Sequence, residues 1–176
     1  IGLHHVHHLS AKIPNYNLIV LNNIKTISTG LSSTLKEFTA NGGSILVFPS
    51  PIGDMESYTN YFSLLGDVNL FSGKDTSATT VSTVNLEHEM LADVFEKVPE
   101  NIDLPRVNFH YSTAIRTRSV METLLTLQNG DVFLSRYHCG NGYLYVCASP
   151  LGDTYSNFPK HALFVPLLYK IALYSQ

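Results

Sequence analysis

With 176 residues and 44% hydrophobic content, the chain has enough apolar material for one domain with a sizeable core, and no stretch reads as a linker. Its formal charge of -3, with lysine and arginine scattered, excludes the basic stripe that a nucleic acid or an anionic membrane surface would require. No apolar run is long enough to span a bilayer or to read as a secretory signal. Two cysteines, Cys139 and Cys147, are too few for a disulfide framework and leave the redox compartment open. Because the chain opens at Ile1 and stops at Gln176 straight after a helical pattern, it reads as one domain, residues 1–176, cut from a longer protein.

Ile1 to Leu9 (IGLHHVHHL) reads as a strand. On it His5 and His7 would share one face about 7 Å apart, with His4 and His8 on the other. No face gathers more than two of them, and a closed zinc site takes four ligands. His5 and His7 are therefore weak metal candidates, and a solvent-facing edge strand is the plainer reading.

Tyr16 to Pro51 reads as strand, helix, strand, and the rest of the chain is organised around it. Asn17 to Leu21 and Ser44 to Phe48 are short apolar runs of the kind a parallel sheet covered on both faces requires. Between them Leu31, Leu35 and Phe38 fall on one helical face, Ser28 or Thr29 suits the N-cap, and Gly42 suits the left-handed position past the end. A connection this short that contains a helix predicts a right-handed crossover to a parallel neighbour.

Asp54 is placed to cap a second helix, in which Met55, Tyr58, Phe62 and Leu65 recur at helical spacing up to Gly66. Gly73 to Thr80 is small and polar, a surface loop by composition, and Val81 to Leu86 alternates as a strand does. Glu87 to Lys97 suits a short helix with Met90, Leu91, Val94 and Phe95 turned inward, stopped by Pro99. Pro105 to Ile115 looks extended. Asn129-Gly130-Asp131, between Glu122 to Gln128 and Val132 to His138, is a hairpin signal because Asn and Gly tolerate positive φ. Gly140-Asn141-Gly142 turns the chain into the apolar strand Tyr143 to Ala148. Lys160 to Tyr174 is an apolar helix, and Pro166 inside it predicts a kink or a helix that starts near Val165.

Two turns echo each other: Ser50-Pro51-Ile52-Gly53-Asp54 and Ser149-Pro150-Leu151-Gly152-Asp153. Each follows an apolar strand, which in an open α/β sheet places it at the carboxyl edge where such folds bind ligands; Pro and Gly simply ending two strands is the plainer account. Neither serine suits covalent catalysis. The residue after a nucleophile normally lends a backbone N–H to the oxyanion, and proline has none. Cys147 lies in an apolar strand, where a thiol tends to be inert. Asn41-Gly42-Gly43 follows a helix and precedes a strand, the reverse of a dinucleotide fingerprint, and no cofactor is expected. The polar residues near strand ends, Asn22, Asn23, Ser50, Asp54, Asp153, Asn157 and His161, are the speculative ligand-binding set. Asp153 and His161 suggest a small hydrolase as an alternative, against their more ordinary roles as caps. Tyr111, Tyr137, Tyr143 and Tyr145 suggest a carbohydrate- or peptide-binding module, whose signature would be an exposed aromatic row beside a groove.

The NLIVLNN strand, the amphipathic helix, Asn-Gly-Gly and the SILVFPS strand resemble the central unit of class I glutamine amidotransferase-like domains. FEKVPENIDLP (Phe95 to Pro105) and SNFPKHALFVPLLYKIALYS (Ser156 to Ser175) are similar to the soluble amidotransferase-like region of BatA-type bacterial membrane proteins. The resemblance implies a three-layer α/β, flavodoxin-like fold with a mainly parallel sheet and an antiparallel hairpin near residues 122–138. It does not carry the glutaminase with it. The family's cysteine would fall at about Pro49 or Ser50, its histidine on Ser149 and its glutamate on Leu151, and only Pro150 matches its closing tail. No catalytic residue is assigned. What the resemblance implies is a non-catalytic domain for protein interaction or ligand sensing. Its partner would be a protein of the bacterial cell envelope, its membrane spans would lie outside this stretch, and the periplasmic side is favoured.

Overall fold

The strand, helix, strand expected at the start of the chain is present in the computed structural model, which describes residues 16–92, 103–114, 116, 118 and 120–175. It runs β1 (Leu18–Ile24), α1 (Thr29–Ala40) and β2 (Ser44–Pro49), with β1 and β2 parallel and Ile19 paired with Ile45. Ser28 caps α1 by accepting the Leu31 N–H at 3.2 Å, and Asp54 caps α2 (Met55–Leu65) through the Glu56 N–H. Both caps are the ones the sequence predicts, because a short side-chain oxygen beside the first turn satisfies an otherwise orphaned donor.

The remaining strands are β3 (Leu70–Asp75), β4 (Thr79–Val84), β5 (Arg106–Val107), β6 (His110–Ala114), β7 (Met121–Leu127), β8 (Val132–Cys139) and β9 (Gly142–Cys147). Seven strands form one sheet in the order β1-β2-β9-β8-β7-β4-β5, and β3 pairs with β6 in a separate two-stranded ribbon. The expectation of a mainly parallel sheet is corrected here. Only β1 with β2 and β2 with β9 run parallel, while the other four neighbouring pairs are antiparallel. The cause is local. The Asn129-Gly130 turn, with Gly130 at φ 89°, and the Gly140-Asn141 turn join β7, β8 and β9 through connections too short to allow anything but antiparallel neighbours.

Strand β2 is buried along its whole length, as a central strand covered on both faces must be. On one face Ile45, Val47, Leu144 and Val146 pack with Leu31, Leu35 and Phe38 of α1 and Tyr61 and Phe62 of α2. On the other, Leu46, Phe48, Tyr145 and Cys147 pack with Leu163, Leu167 and Ile171. At the start of β9 the chain passes so close to the turn after α1 that a Cβ on Gly142 would lie 2.0 Å from the Gly43 carbonyl oxygen, so this position needs glycine.

Three further expectations are refined. Residues 73–80, expected as a loop, include the end of β3 and the start of β4. Residues 87–92, expected to begin a helix, form turns that still bury Met90 and Leu91; Val94 and Phe95 lie outside the described residues, as do His5 and His7. The last helix is α3 (Phe164–Leu173), preceded by a 3-10 turn over Phe158–Lys160. Pro166 thus falls in the first turn of α3, where a missing N–H costs no hydrogen bond.

Candidate functional site

Strands β2 and β9 end side by side, and the ribbon of β3 and β6 is fastened over their carboxyl ends. The Tyr111 N–H donates to the Ala148 carbonyl at 2.8 Å, beyond β9, and the Tyr111 hydroxyl donates to the Ser50 carbonyl at 2.7 Å, beyond β2. Tyr58 meets the same residue from α2. Its hydroxyl accepts the Ser50 N–H at 3.2 Å and donates to the Ile24 carbonyl at 2.5 Å. Phe71 stacks on Tyr111 with ring centroids 4.8 Å apart, and Phe109 meets the Tyr111 ring edge-on. Burial pushes the Tyr111 hydroxyl up to about 12 and also raises that of Tyr58, so both stay protonated as donors. In an open α/β sheet this edge is the ligand crevice; here it is occupied by aromatic side chains of the chain itself.

Ser50 and Ser149 are consequently buried, the Ser50 hydroxyl without a partner and the Ser149 hydroxyl donating locally to the Pro150 carbonyl. Among the described residues neither hydroxyl is hydrogen-bonded to a histidine. Burial raises the thiols of Cys139 to about 11 and Cys147 to about 12, which leaves both weak nucleophiles. Asn22 and Asn23 are exposed at the end of β1, where Asn23, at φ 56°, makes the bulge that shifts the register with β2. Asp54 caps α2, and Asn157 accepts the Arg106 N–H through its side chain. Asp153 and His161 do not pair with each other. Asp153 is held by Lys160 on the surface. His161 donates its Nε2–H to the Asp103 carbonyl at 2.8 Å and accepts the Leu163 N–H at Nδ1. Of the four tyrosines considered for ligand stacking, Tyr111, Tyr137 and Tyr145 are buried, and Tyr143 lies under the Arg136 guanidinium.

A different constellation gathers at this same edge. The first residue of β6, His110, is fully buried, and its Nε2 lies 2.7 Å from Asp131 Oδ2. Asp131 follows the Asn129-Gly130 turn, and that end of β8 is joined to the end of β9 by the Ala148 N–H to Phe133 carbonyl bond. Asp131 Oδ2 also accepts from the Ser112 hydroxyl at 3.0 Å and from the Asn129 amide at 3.2 Å. Burial works to raise the Asp131 carboxyl, but these hydrogen bonds outweigh it and hold the group below the usual carboxylate range. Asp75 is the register partner of His110 across the ribbon. The Ser77 N–H, then its hydroxyl, keep the Asp75 carboxyl low. One atom each from Asp75, His110 and Asp131 lie within 4.8 Å of one another. Sequence reasoning passed over all three: Asp131 is part of a turn signal and His110 lies inside the extended stretch Pro105 to Ile115, and no local pattern links positions so far apart in the chain.

A second charged group lies on β7 and β8. Arg136 is buried, pairs through Nε with Glu122, reaches Glu89 at 3.4 Å and stacks over Tyr143. His88 shares the same Glu122 oxygen at 3.1 Å.

Outside the site, α3 leaves Val165 (71% exposed), Tyr169 (63%) and Leu173 uncovered at intervals of four, along one side of the helix. Val20, 49% exposed, lies on the edge strand β1. By alternation it points to the side of the sheet that α3 covers.

No protein-family model matches the chain, and no curated protein matches it significantly in sequence. Solved structures do match in fold. The chain is similar to the cytoplasmic protein STM3548 from Salmonella typhimurium, with a TM-score of 0.65 at 17% identity over 98% of this chain and 75% of that one. It is similar to the mmIFT52 N-terminal domain, with a TM-score of 0.65 at 16% identity over 95% and 80%. It also matches part of the cold-adapted beta-galactosidase from Rahnella sp. R3, with a TM-score of 0.59 at 14% identity over 90% of this chain but 23% of the enzyme. At these identities the likeness is one of fold, and it agrees with an amidotransferase-like α/β architecture whose sheet is largely antiparallel.

Proposed function

We propose that the chain is a non-catalytic amidotransferase-like domain that acts by binding a protein partner, as part of a membrane-anchored protein of the bacterial cell envelope. The observation that carries this reading is the occupation of the carboxyl edge. The Tyr58 and Tyr111 hydroxyls take up the main-chain groups of Ser50, at the position where the resembled family keeps its nucleophile. A glutaminase needs that edge open and a backbone donor after the nucleophile; here the edge is filled and the following residue is Pro51. The binding face is the side of α3 that bears the exposed Val165, Tyr169 and Leu173. Apolar side chains repeated on one helical face mark an interaction surface more than scattered ones do.

Two measurements test the two halves of this reading. Ammonia release from glutamine and hydrolysis of simple esters by the purified chain stay at the buffer rate. Turnover that disappears in Ser50→Ala or His161→Ala overturns the non-catalytic half. A photo-crosslinking residue at Tyr169 in the parent protein forms an adduct in cells, and the same residue at the exposed Lys36 on α1 does not. Equal yields at the two positions, or none at Tyr169, remove α3 as the binding face.

A further inference from the structure

We infer that His161 is a pH-sensitive clasp on α3: the neutral imidazole holds the first turn of this helix in place, and the protonated imidazole releases it. What this means for binding rests on the reading of α3 as the interaction face, because Val165 lies in the turn that is held.

The first ground is how α3 begins. The leading N–H groups of a helix have no partner within it. Ser28 and Asp54 meet that need for α1 and α2 through side-chain oxygens. Leu163, at the same position before α3, has no side-chain cap, and Pro166 has no N–H to satisfy. His161 supplies the acceptors instead. Its Nδ1 accepts the Leu163 N–H at 3.1 Å, and its carbonyl accepts the Phe164 N–H at 3.0 Å. Its own N–H donates to the Phe158 carbonyl at 3.0 Å, and its Nε2–H to the Asp103 carbonyl. One residue thus ties the start of the helix to the 3-10 turn and to the segment ahead of β5.

The second ground is what a proton does there. Nδ1 accepts a hydrogen bond only while it carries no hydrogen. Once protonated it is a donor aimed at a donor, so the ring has to leave the Leu163 N–H. The new charge also lies beside the N-terminus of α3, the positive end of the helix dipole. The charged groups on the surrounding elements do not cancel these effects. Lys160 in the 3-10 turn, engaged with Asp153, and Arg106 on β5 are further positive charges, and Lys170 lies in the last turn of α3. Asp103 meets the ring through its main-chain carbonyl and, among the described residues, forms no ion pair with it. Its carboxylate is on an exposed residue, where water and salt screen it.

The third ground is what the held turn carries. Leu163 is buried, and the Phe164 ring meets Phe158 and Phe48 with centroids 5.0 and 6.4 Å away. Val165 follows as the first member of the exposed row. Leu167 and Ile171, both buried, keep the rest of the helix docked, so the change is confined to its first turn. Histidine is the side chain that ordinarily changes charge between about pH 5 and pH 8, whereas the serine that caps α1 does not.

Amide hydrogen exchange on the purified chain, measured against the free-peptide rate at each pH, tests the clasp. From about pH 7.5 to about pH 5.5 the protection of the Leu163 and Phe164 amides falls about tenfold, through one lost hydrogen bond and an unfavourable charge at the helix end. The first turn of α1 keeps its protection. In His161→Asn the side-chain oxygen still accepts from the amide two residues ahead, as in an Asx turn, and does not titrate, so protection there is flat with pH. His88 and His110 remain in that variant, and a fall that persists in it overturns the inference. So does native protection that acidification leaves unchanged. If His161→Asn does not fold, NMR of the native chain decides: the Leu163 amide signal moves together with the His161 ring signals, and a Leu163 signal that ignores them overturns the inference. No partner enters these measurements, so failure of the clasp is separate from failure of the crosslinking at Tyr169.

Discussion

Tyr111 and Ser50, 61 positions apart, are joined by a 2.7 Å hydrogen bond from the tyrosine hydroxyl to the serine carbonyl. That bond fastens the two-stranded ribbon to the end of the central strand of the main sheet. It converts what would be a ligand crevice into part of the core.

Tyr111→Phe removes the bond and keeps the ring against Phe71 and Phe109. Because the Ser50 carbonyl still accepts the Gly53 N–H at 3.1 Å, the loss is partial, about 1 kcal/mol. Tyr111→Ala removes the ring as well and costs about 3–5 kcal/mol. Urea unfolding of the two variants checks this order; equal losses would mean that the ring does not hold the ribbon.

Glu122 is the necessary partner of the buried Arg136, and Glu89 is not. Removing Glu122 leaves a guanidinium in the core with a distant second carboxylate. With the Glu122 side chain 38% exposed, the expected cost of Glu122→Gln is about 2 kcal/mol, below that of a wholly buried pair. Glu89, 65% exposed, costs less than about 0.5 kcal/mol on the same change. Chemical denaturation of the two variants separates these values.

The same glutamate makes stability depend on pH. Burial acts to raise its carboxyl, but the hydrogen bonds and charges of Arg136 and His88 outweigh it and hold the group below the ordinary glutamate value. A depressed folded pKa contributes stability that is present above the unfolded value and is lost as pH falls through the folded one. The stability gap between the native chain and Glu122→Gln is therefore full at neutral pH and narrows in the acid range below the normal titration of glutamate. A gap that stays constant down to the acid unfolding transition would show that Glu122 acts by packing alone.

Cys139 and Cys147 are buried free thiols, and burial holds both well above the usual thiol value. At pH 8 a disulfide reagent should modify them in the native protein about 100-fold or more slowly than in urea, at a rate set by opening of the sheet. Fast native reaction of either thiol would reopen the question of a cysteine nucleophile.

What the amino-acid sequence determined by itself is the set of local elements. The caps at Ser28 and Asp54, the helices they start, the buried runs of β1, β2 and β9 and the Asn129-Gly130 hairpin are all written in neighbours a few residues apart, because caps, turns and periodicity are short-range effects. Pro166 likewise left a kink or a late start for the last helix, and α3 takes the late start, at Phe164. Two of the four antiparallel pairings were carried by two tight turns, whose consequence for strand order emerges only when β9 is found beside β2. The sealed edge and the Asp75, His110 and Asp131 cluster belong wholly to the tertiary structure. Alternation along β6 fixes that His110 and Tyr111 face opposite ways, but which residues they meet depends on where the ribbon folds back. Those partners come from distant turns and strands, and contacts of that span leave no periodic trace in the chain.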